Sequence, residues 1–335
     1  MTRLIVNGIA GGRSSRGVAR YTAKVISNLE WPEHIERLEA GPSPILDKAR
    51  ELTFKAGGGA VVWSPTHRGP IFSANHVVTV HDCINVESVY VGTWKETAVR
   101  QLTQLMLDSA ARVVAISHAT RSALLRNYRI AEGRILTIQS SCEEDLSSID
   151  LPLSPGGVEM VAALREAGPY ALMVTNALPH KNTAFACTAL SLSSFARGGG
   201  RLRVVGSLSP EACRISAAAG LKVDVEANVD NIRLAALYRN AAFVLSPSKA
   251  EGHNLVIAEA LGCGAPVVCS DIAVHREFYE GRALMFDPDD MDTAIDRIEA
   301  VLREPVAFAS SASGPSWSEV GAAYRQVFEA VGSCS

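Results

Sequence analysis

Short apolar runs alternate with amphipathic stretches along almost the whole chain. In the first half, Arg3 to Asn7, Ala60 to Trp63, Val77 to Val80 and Arg112 to Ile116 read as buried strands, because continuous apolar runs bounded by turn residues suit a sheet covered on both faces. Helical spacing fills the gaps at Val18 to Leu29, Trp94 to Asp108 and Ala119 to Tyr128. The periodicity is lost from Cys142 to Gly157, where CEEDLSSIDLPLSPGG reads as a linker. It then restarts with a helix at Val158 to Ala167, a strand at Tyr170 to Thr175, a helix at Thr183 to Phe195, strands at Leu202 to Val205 and Val223 to Val225, and a helix at Ile232 to Asn240. The stretch FVLSPSKAEGHNLVIAEALGCGAPVVCSD, Phe243 to Asp271, reads as strand, loop, helix and strand. Helices at Asp292 to Leu302 and Trp317 to Val331 close the chain, separated by a Gly/Ser-rich break at 310–316. Alternating strands and helices predict an α/β protein with two Rossmann-like, doubly wound parallel sheets. The expected domains are 1–150 and 151–312, with a terminal helical segment at 313–335 packing back on the first domain.

Length supports two cores, since 335 residues exceed the usual span of one. With 47% apolar and 20% charged residues, and no apolar run of about 18 residues, a membrane span is not expected. Leu4 to Val6 runs straight into a Gly-rich loop with no signal-peptide pattern, so a cytoplasmic location is expected. The seven cysteines contain no Cys-x-x-Cys and are expected to be small buried residues. Net charge is −3, but residues 1–141 carry 17 Lys/Arg against 11 Asp/Glu, a balance of +6, while 142–335 carry 15 against 24, a balance of −9. The basic half suits either an anionic lipid surface or a phosphorylated acceptor, or is simply an unevenly charged solvated surface. No aromatic-rich basic stripe points to nucleic acid.

Four places carry candidate chemistry. The loop GIAGGRSSRG, with Gly8, Gly11, Gly12 and Gly17, follows the first strand and precedes a helix, where backbone can approach a phosphate. Its spacing is not Gly-x-Gly-x-x-Gly, which argues against an NAD-dependent oxidoreductase. His81-Asp82 ends the Val77 to Val80 strand, at the edge where open α/β sheets bind ligands. Lys181 lies in NALPHKN after a strand, suited to a phosphate or equally to solvent. Glu251 and Glu259 stand eight residues apart. On a continuous helix they would be about 12 Å apart, roughly the reach of a nucleoside diphosphate sugar from hexose to ribose. The helix N-terminus near Asn254 and Leu255 lies between them and suits a diphosphate.

The run SPSKAEGHNLVIAEALGCGAPVVCSD resembles the donor-site motif of glycosyltransferase family 4, retaining enzymes of the GT-B fold. RGVARYTAKV, VVTVHD, RVVAISHATRSALL, PHKN, RLRVVGS, LAALYRNAAFVLSPS, ALMFDPDD and SWSEVGAAYRQVF extend the resemblance over nearly the whole chain in the right order. It implies two domains facing a central cleft, with Glu251 against the donor sugar, Glu259 on the donor ribose, His81 by the transferring sugar and Lys181 on the diphosphate. Gly11 and Gly12 are implied near the phosphates and acceptor. Asn182, His253, Asn254 and Leu255 complete the implied donor site. No cofactor and no divalent metal are expected. No clear carboxylate nucleophile can be picked out, so retention is expected through front-face transfer.

Thr175, Asn176 and His180 occupy positions where the family usually carries a partner arginine, with Arg13 and Arg16 as other sources. His253-Asn254 replaces the usual Phe-Gly, and Val256 a common proline. VVTVHD with the Pro-x-Lys-Asn loop looks like bacterial O-antigen and exopolysaccharide mannosyltransferases using GDP-mannose. The expected acceptor is a glycan or a polyprenyl-diphosphate-linked saccharide, reached by peripheral membrane contact through the first domain. A UDP-hexose transferase and a non-catalytic sugar-nucleotide-binding protein are the alternatives.

Overall fold

The computed structural model describes residues 3–11, 16–31, 34–57, 59–89, 91–142, 145–154, 156–304 and 314–333. Two compact units emerge: Met1–Ser141 with Gly314–Ser335, and Cys142–Ser313. Each is built on six parallel strands.

In the first unit the strands are β1 (Leu4–Val6), β2 (Ile35–Arg37), β3 (Val61–Ser64), β4 (His76–Val80), β5 (Arg112–Ala115) and β6 (Ile135–Thr137), in the order β2-β1-β3-β4-β5-β6. β1, β3 and β4 are buried at every position, which explains their mainly apolar character, and the polar exceptions Ser64, His76 and Thr79 are hydrogen-bonded within the unit. The terminal helix Trp317–Ser333 belongs to this unit and presents Val320, Tyr324, Val327, Phe328 and Val331 to its core at helical spacing. It lies so close to helix Arg16–Asn28 that a Cβ on Gly321 would stand 2.0 Å from the Asn28 carbonyl oxygen. Buried hydroxyls find partners there. Tyr324 Oη is 2.7 Å from Thr79 Oγ1 and 3.0 Å from Tyr21 Oη, and Trp63 Nε1 donates to Thr79 Oγ1 at 3.0 Å.

The second unit holds β7 (Tyr170–Thr175), β8 (Arg201–Gly206), β9 (Val223–Glu226), β10 (Phe243–Ser246), β11 (Val267–Ser270) and β12 (Leu284–Phe286), in the order β12-β11-β10-β7-β8-β9. The order reverses between β7 and β10, so the crevice beyond their carboxyl ends is a topological switch point.

Several expectations need correction. The first unit ends at Ser141 rather than 150, because the linker packs on the second. Leu146 and Leu151 are buried, and Arg239 donates from Nη1 to the Ile149 carbonyl at 2.7 Å and from Nη2 to that of Ser147 at 3.0 Å. The helix expected over 183–195 divides into Thr183–Leu192 and Ser194–Arg197, since Ser193 is extended. Residues 251–254 are not helical, so the two glutamates are not joined by one continuous helix. Cys213 is exposed and Cys263 half-buried, whereas Cys83, Cys142, Cys187 and Cys269 are buried. Cys334 lies outside the described residues. Among the described residues no helix is long and apolar enough to cross a membrane.

Candidate active site

The loops after β7 and β10 meet at the switch point of the second unit. The first carries a single 3₁₀ turn, Pro179–Lys181, and is tied to the second by the Lys249 amide donating to the His180 carbonyl at 2.8 Å. Lys181 and Glu251 join across the gap, Nζ to Oε1 at 2.5 Å, with side chains only 17% and 10% exposed. Burial pushes the Glu251 carboxyl up, but the Lys181 charge and hydrogen bonds from Lys181 and Ser248 outweigh it and hold the group below the usual carboxylate range. The site therefore keeps a charged, shielded ion pair where an open α/β sheet binds ligands.

Three residues beyond Glu251, Asn254 adopts a left-handed conformation (φ 71°) and opens helix Leu255–Gly262. This backbone is uncommon outside glycine, and Asn tolerates it best. The side chain explains how it is held: Nδ2 donates to Ser246 Oγ at 2.9 Å and to His275 Nε2 at 2.8 Å. His275 Nδ1 donates in turn to the Ser270 carbonyl at 2.7 Å, which fixes the neutral tautomer with its proton on Nδ1. Burial lowers this imidazole to about 4, against the upward pull of the Ser270 carbonyl and Glu251. Ser270 Oγ also donates to the Ser248 carbonyl, so β10, β11 and helix Ala273–Tyr279 brace one turn. Tyr279 Oη completes the brace by donating to the Asn254 carbonyl at 3.0 Å.

Glu259 lies on the same helix as Leu255, buried, and its Oε2 accepts from Tyr238 Oη at 2.8 Å. Asn182 is left-handed too (φ 52°), opens helix Thr183–Leu192 and donates from Nδ2 to the Pro288 carbonyl at 3.1 Å. This brings the loop after β12 beside that after β7. His253 is buried among rings, 4.4 Å from Phe278 and stacked at 6.1 Å on Tyr279, with Nε2 3.4 Å from Cys142 Sγ.

His81 and Gly11 belong to the first unit. His81 follows β4 and donates from Nε2 to the Pro65 carbonyl at 2.8 Å, leaving Nδ1 as the acceptor of the neutral ring. Burial lowers its pKa, with the Pro65 carbonyl and Asp82 pulling upward. Its ring stands edge-on to Tyr21, 4.9 Å between centroids. Gly11 ends a one-turn helix, Gly8–Gly11, where a polar turn was expected. Gly12 and Arg13 lie outside the described residues, as does the Arg16 side chain.

Sequence reasoning missed His275 and Tyr238, although VHRE after the last strand of the motif placed a histidine within reach. It also overlooked Asp-x-Asp at 287–289 and 290–292. There, Asp287 Oδ1 accepts from the Asp289 amide at 2.9 Å, and Asp290 caps helix Met291–Arg303. Among the described residues no cluster of three His, Cys, Asp or Glu could hold a metal ion.

Residues 168–304 match the family model for Glycosyl transferases group 1. The O-antigen chain mannosyltransferase B of Escherichia coli is 28% identical over 228 residues, 65% of this chain and 55% of that protein. Thus the chain spans little more than half the length of that relative. The O-antigen chain mannosyltransferase RfbU of Salmonella typhimurium is 24% identical over 75% of this chain and 68% of its own. Anabaena Alr3699/HepE, a structure in complex with UDP and glucose, superposes with a TM-score of 0.65 at 15% identity, covering 100% of this chain and 98% of that one. Residues 168–304 thus carry the similarity to Glycosyl transferases group 1, and the two parallel-sheet Rossmann-like units have the GT-B fold of the solved glycosyltransferase structures they superpose on.

Proposed function

We propose that the chain transfers mannose from GDP-mannose to a hydroxyl of a glycan or polyprenyl-diphosphate-linked saccharide, in cell-surface polysaccharide synthesis at the cytoplasmic face of the membrane. The observation that carries this reading is the Lys181–Glu251 pair at the β7/β10 switch point. An arriving diphosphate would take over Lys181 through charge-assisted hydrogen bonds and release Glu251 towards the sugar. The amides at the start of helix Leu255–Gly262 offer further donors to the same anion. Glu259, on that helix, is assigned to the ribose, and Asn182, His253 and Asn254 to the surrounding donor site.

In the proposed reaction the anomeric C–O bond breaks and the leaving diphosphate keeps the electron pair. Lys181 and the helix N-terminus stabilise that charge. The acceptor oxygen bonds to the anomeric carbon on the same face, and its proton passes to the departing phosphate oxygen. Configuration is retained without a protein nucleophile, cofactor or metal. Neutral His81 is assigned to the transferring sugar, and the glycine loop with Gly11 and Gly12 to the phosphates and acceptor.

The two O-antigen mannosyltransferase relatives support mannose. A UDP-hexose is the second reading, favoured by the fold shared with a protein in complex with UDP and glucose. A thermal-shift panel of nucleotide sugars separates them: stabilisation by GDP-mannose alone supports the first, and stabilisation by a UDP-sugar alone replaces it.

A further inference from the structure

In the first unit, helix Pro44–Thr53 is built inside out. A surface helix normally buries its apolar stripe and shows its charges. Here the acids point inward. Asp47 is 3% exposed and accepts from the Gly41 amide at 2.8 Å, while Glu51, 1% exposed, accepts from Asn7 Nδ2 at 3.0 Å and from Arg68 Nη2 at 3.1 Å. The apolar residues point outward, Ile45 at 82% exposure and Leu46 at 70%, flanked by exposed Lys48, Ala49 and Arg50. In the last turn of the helix the Leu52 carbonyl accepts from the Ile71 amide at 3.0 Å, bringing exposed Phe72 alongside, with Lys55 Nζ 5.6 Å from its ring centroid.

Scattered exposed apolar side chains are ordinary, but an exposed Ile-Leu pair on a helix that has taken its own acids inside is not. The inversion leaves Lys48 and Arg50 as the exposed charges of the helix that carries the apolar pair, with Lys55 beside Phe72 past its other end, and basic charge next to exposed apolar side chains is the composition of a surface that meets phosphate headgroups over hydrocarbon. We propose that this face docks the chain on an anionic lipid bilayer, with Ile45, Leu46 and Phe72 entering the headgroup boundary and Lys48, Arg50 and Lys55 meeting lipid phosphates. The inference deepens the proposed function by giving the surface on which a lipid-borne acceptor would be met. Vesicle binding is read without any donor, so it can fail while sugar transfer stands, and the reverse.

Flotation of the full chain with phosphatidylcholine vesicles, with and without about one third phosphatidylglycerol, tests it. Binding is expected to the anionic vesicles and to weaken as salt rises. The double variants Ile45→Ser/Leu46→Ser and Lys48→Glu/Arg50→Glu should each bind about tenfold less or weaker still. No binding to anionic vesicles, or binding indifferent to both double variants, overturns the proposal. So does a wild-type dimer in sedimentation velocity that Ile45→Ser/Leu46→Ser dissolves, because the face would then belong to a second copy.

Discussion

Asn254 and His275 hold each other in place. The Asn254 amide donates to His275 Nε2 at 2.8 Å, and the imidazole can accept only because its other nitrogen donates to the Ser270 carbonyl at 2.7 Å. A side-chain bond thus secures the left-handed residue between Glu251 and the helix that carries Glu259. Replacing His275 by Leu removes the acceptor and should cost about 1–3 kcal/mol of stability. Donor KM should rise more than kcat falls, and His275→Gln, which retains an acceptor, should recover part of the loss. Melting curves and donor KM for the two variants check this.

The same histidine sets a pH dependence. His275 is lowered from 6.5 to about 4 and His76, by burial alone, to about 3. Both are bases with depressed folded-state values, so the unfolded chain binds more protons as pH falls below 6.5. Their contribution is fully present above that value and is lost as pH drops towards 4 and then 3. The lowered Glu251 carboxyl acts in the same direction at the acid end, its contribution lost as pH falls below the usual carboxylate range. Urea midpoints should fall steadily from about pH 6.5 downward, and less steeply in His275→Gln.

The paired glutamates should separate by effect. Glu251→Ala should chiefly depress turnover and free Lys181. Glu259→Ala should chiefly weaken donor binding, and it also takes an acceptor from the buried Tyr238 hydroxyl, about 1–3 kcal/mol of stability. Full kinetics with melting curves resolve the two, and equal, negligible effects would contradict the division of roles.

Gly321→Ala tests the attachment of the terminal helix. Its new methyl would meet the Asn28 carbonyl oxygen at 2.0 Å, so helices Arg16–Asn28 and Trp317–Ser333 would have to part. A loss of about 1–3 kcal/mol is expected, read as a lower melting temperature.

Legibility in the sequence followed burial. Tyr170–Thr175, Val61–Ser64 and Val267–Ser270 were readable because strands covered on both faces are built around a short continuous apolar run. Ile35–Arg37 and Leu284–Phe286 were not, since three-residue edge strands with partly exposed positions carry too little pattern. Helix Pro44–Thr53 was invisible for the opposite reason: its apolar and acidic positions exchange sides. At the site, the spacing of Lys181 from β7 and of Glu251 from β10 was plain, but their bond, across 70 positions of chain, depends on β7 and β10 being neighbours in the sheet. His275 went unread because its role comes from the partner it accepts from, and no spacing rule states that.

In the proposed reaction Lys181 holds the diphosphate of a nucleotide sugar at the β7/β10 switch point. Titration calorimetry of GDP-mannose into the wild type and Lys181→Ala, with UDP-glucose in parallel, tests it most directly. The wild type should bind GDP-mannose, and Lys181→Ala should bind it at least about tenfold more weakly, the loss of one charge-assisted contact. Equal affinity in both proteins, or no binding of either nucleotide sugar by the wild type, would contradict it.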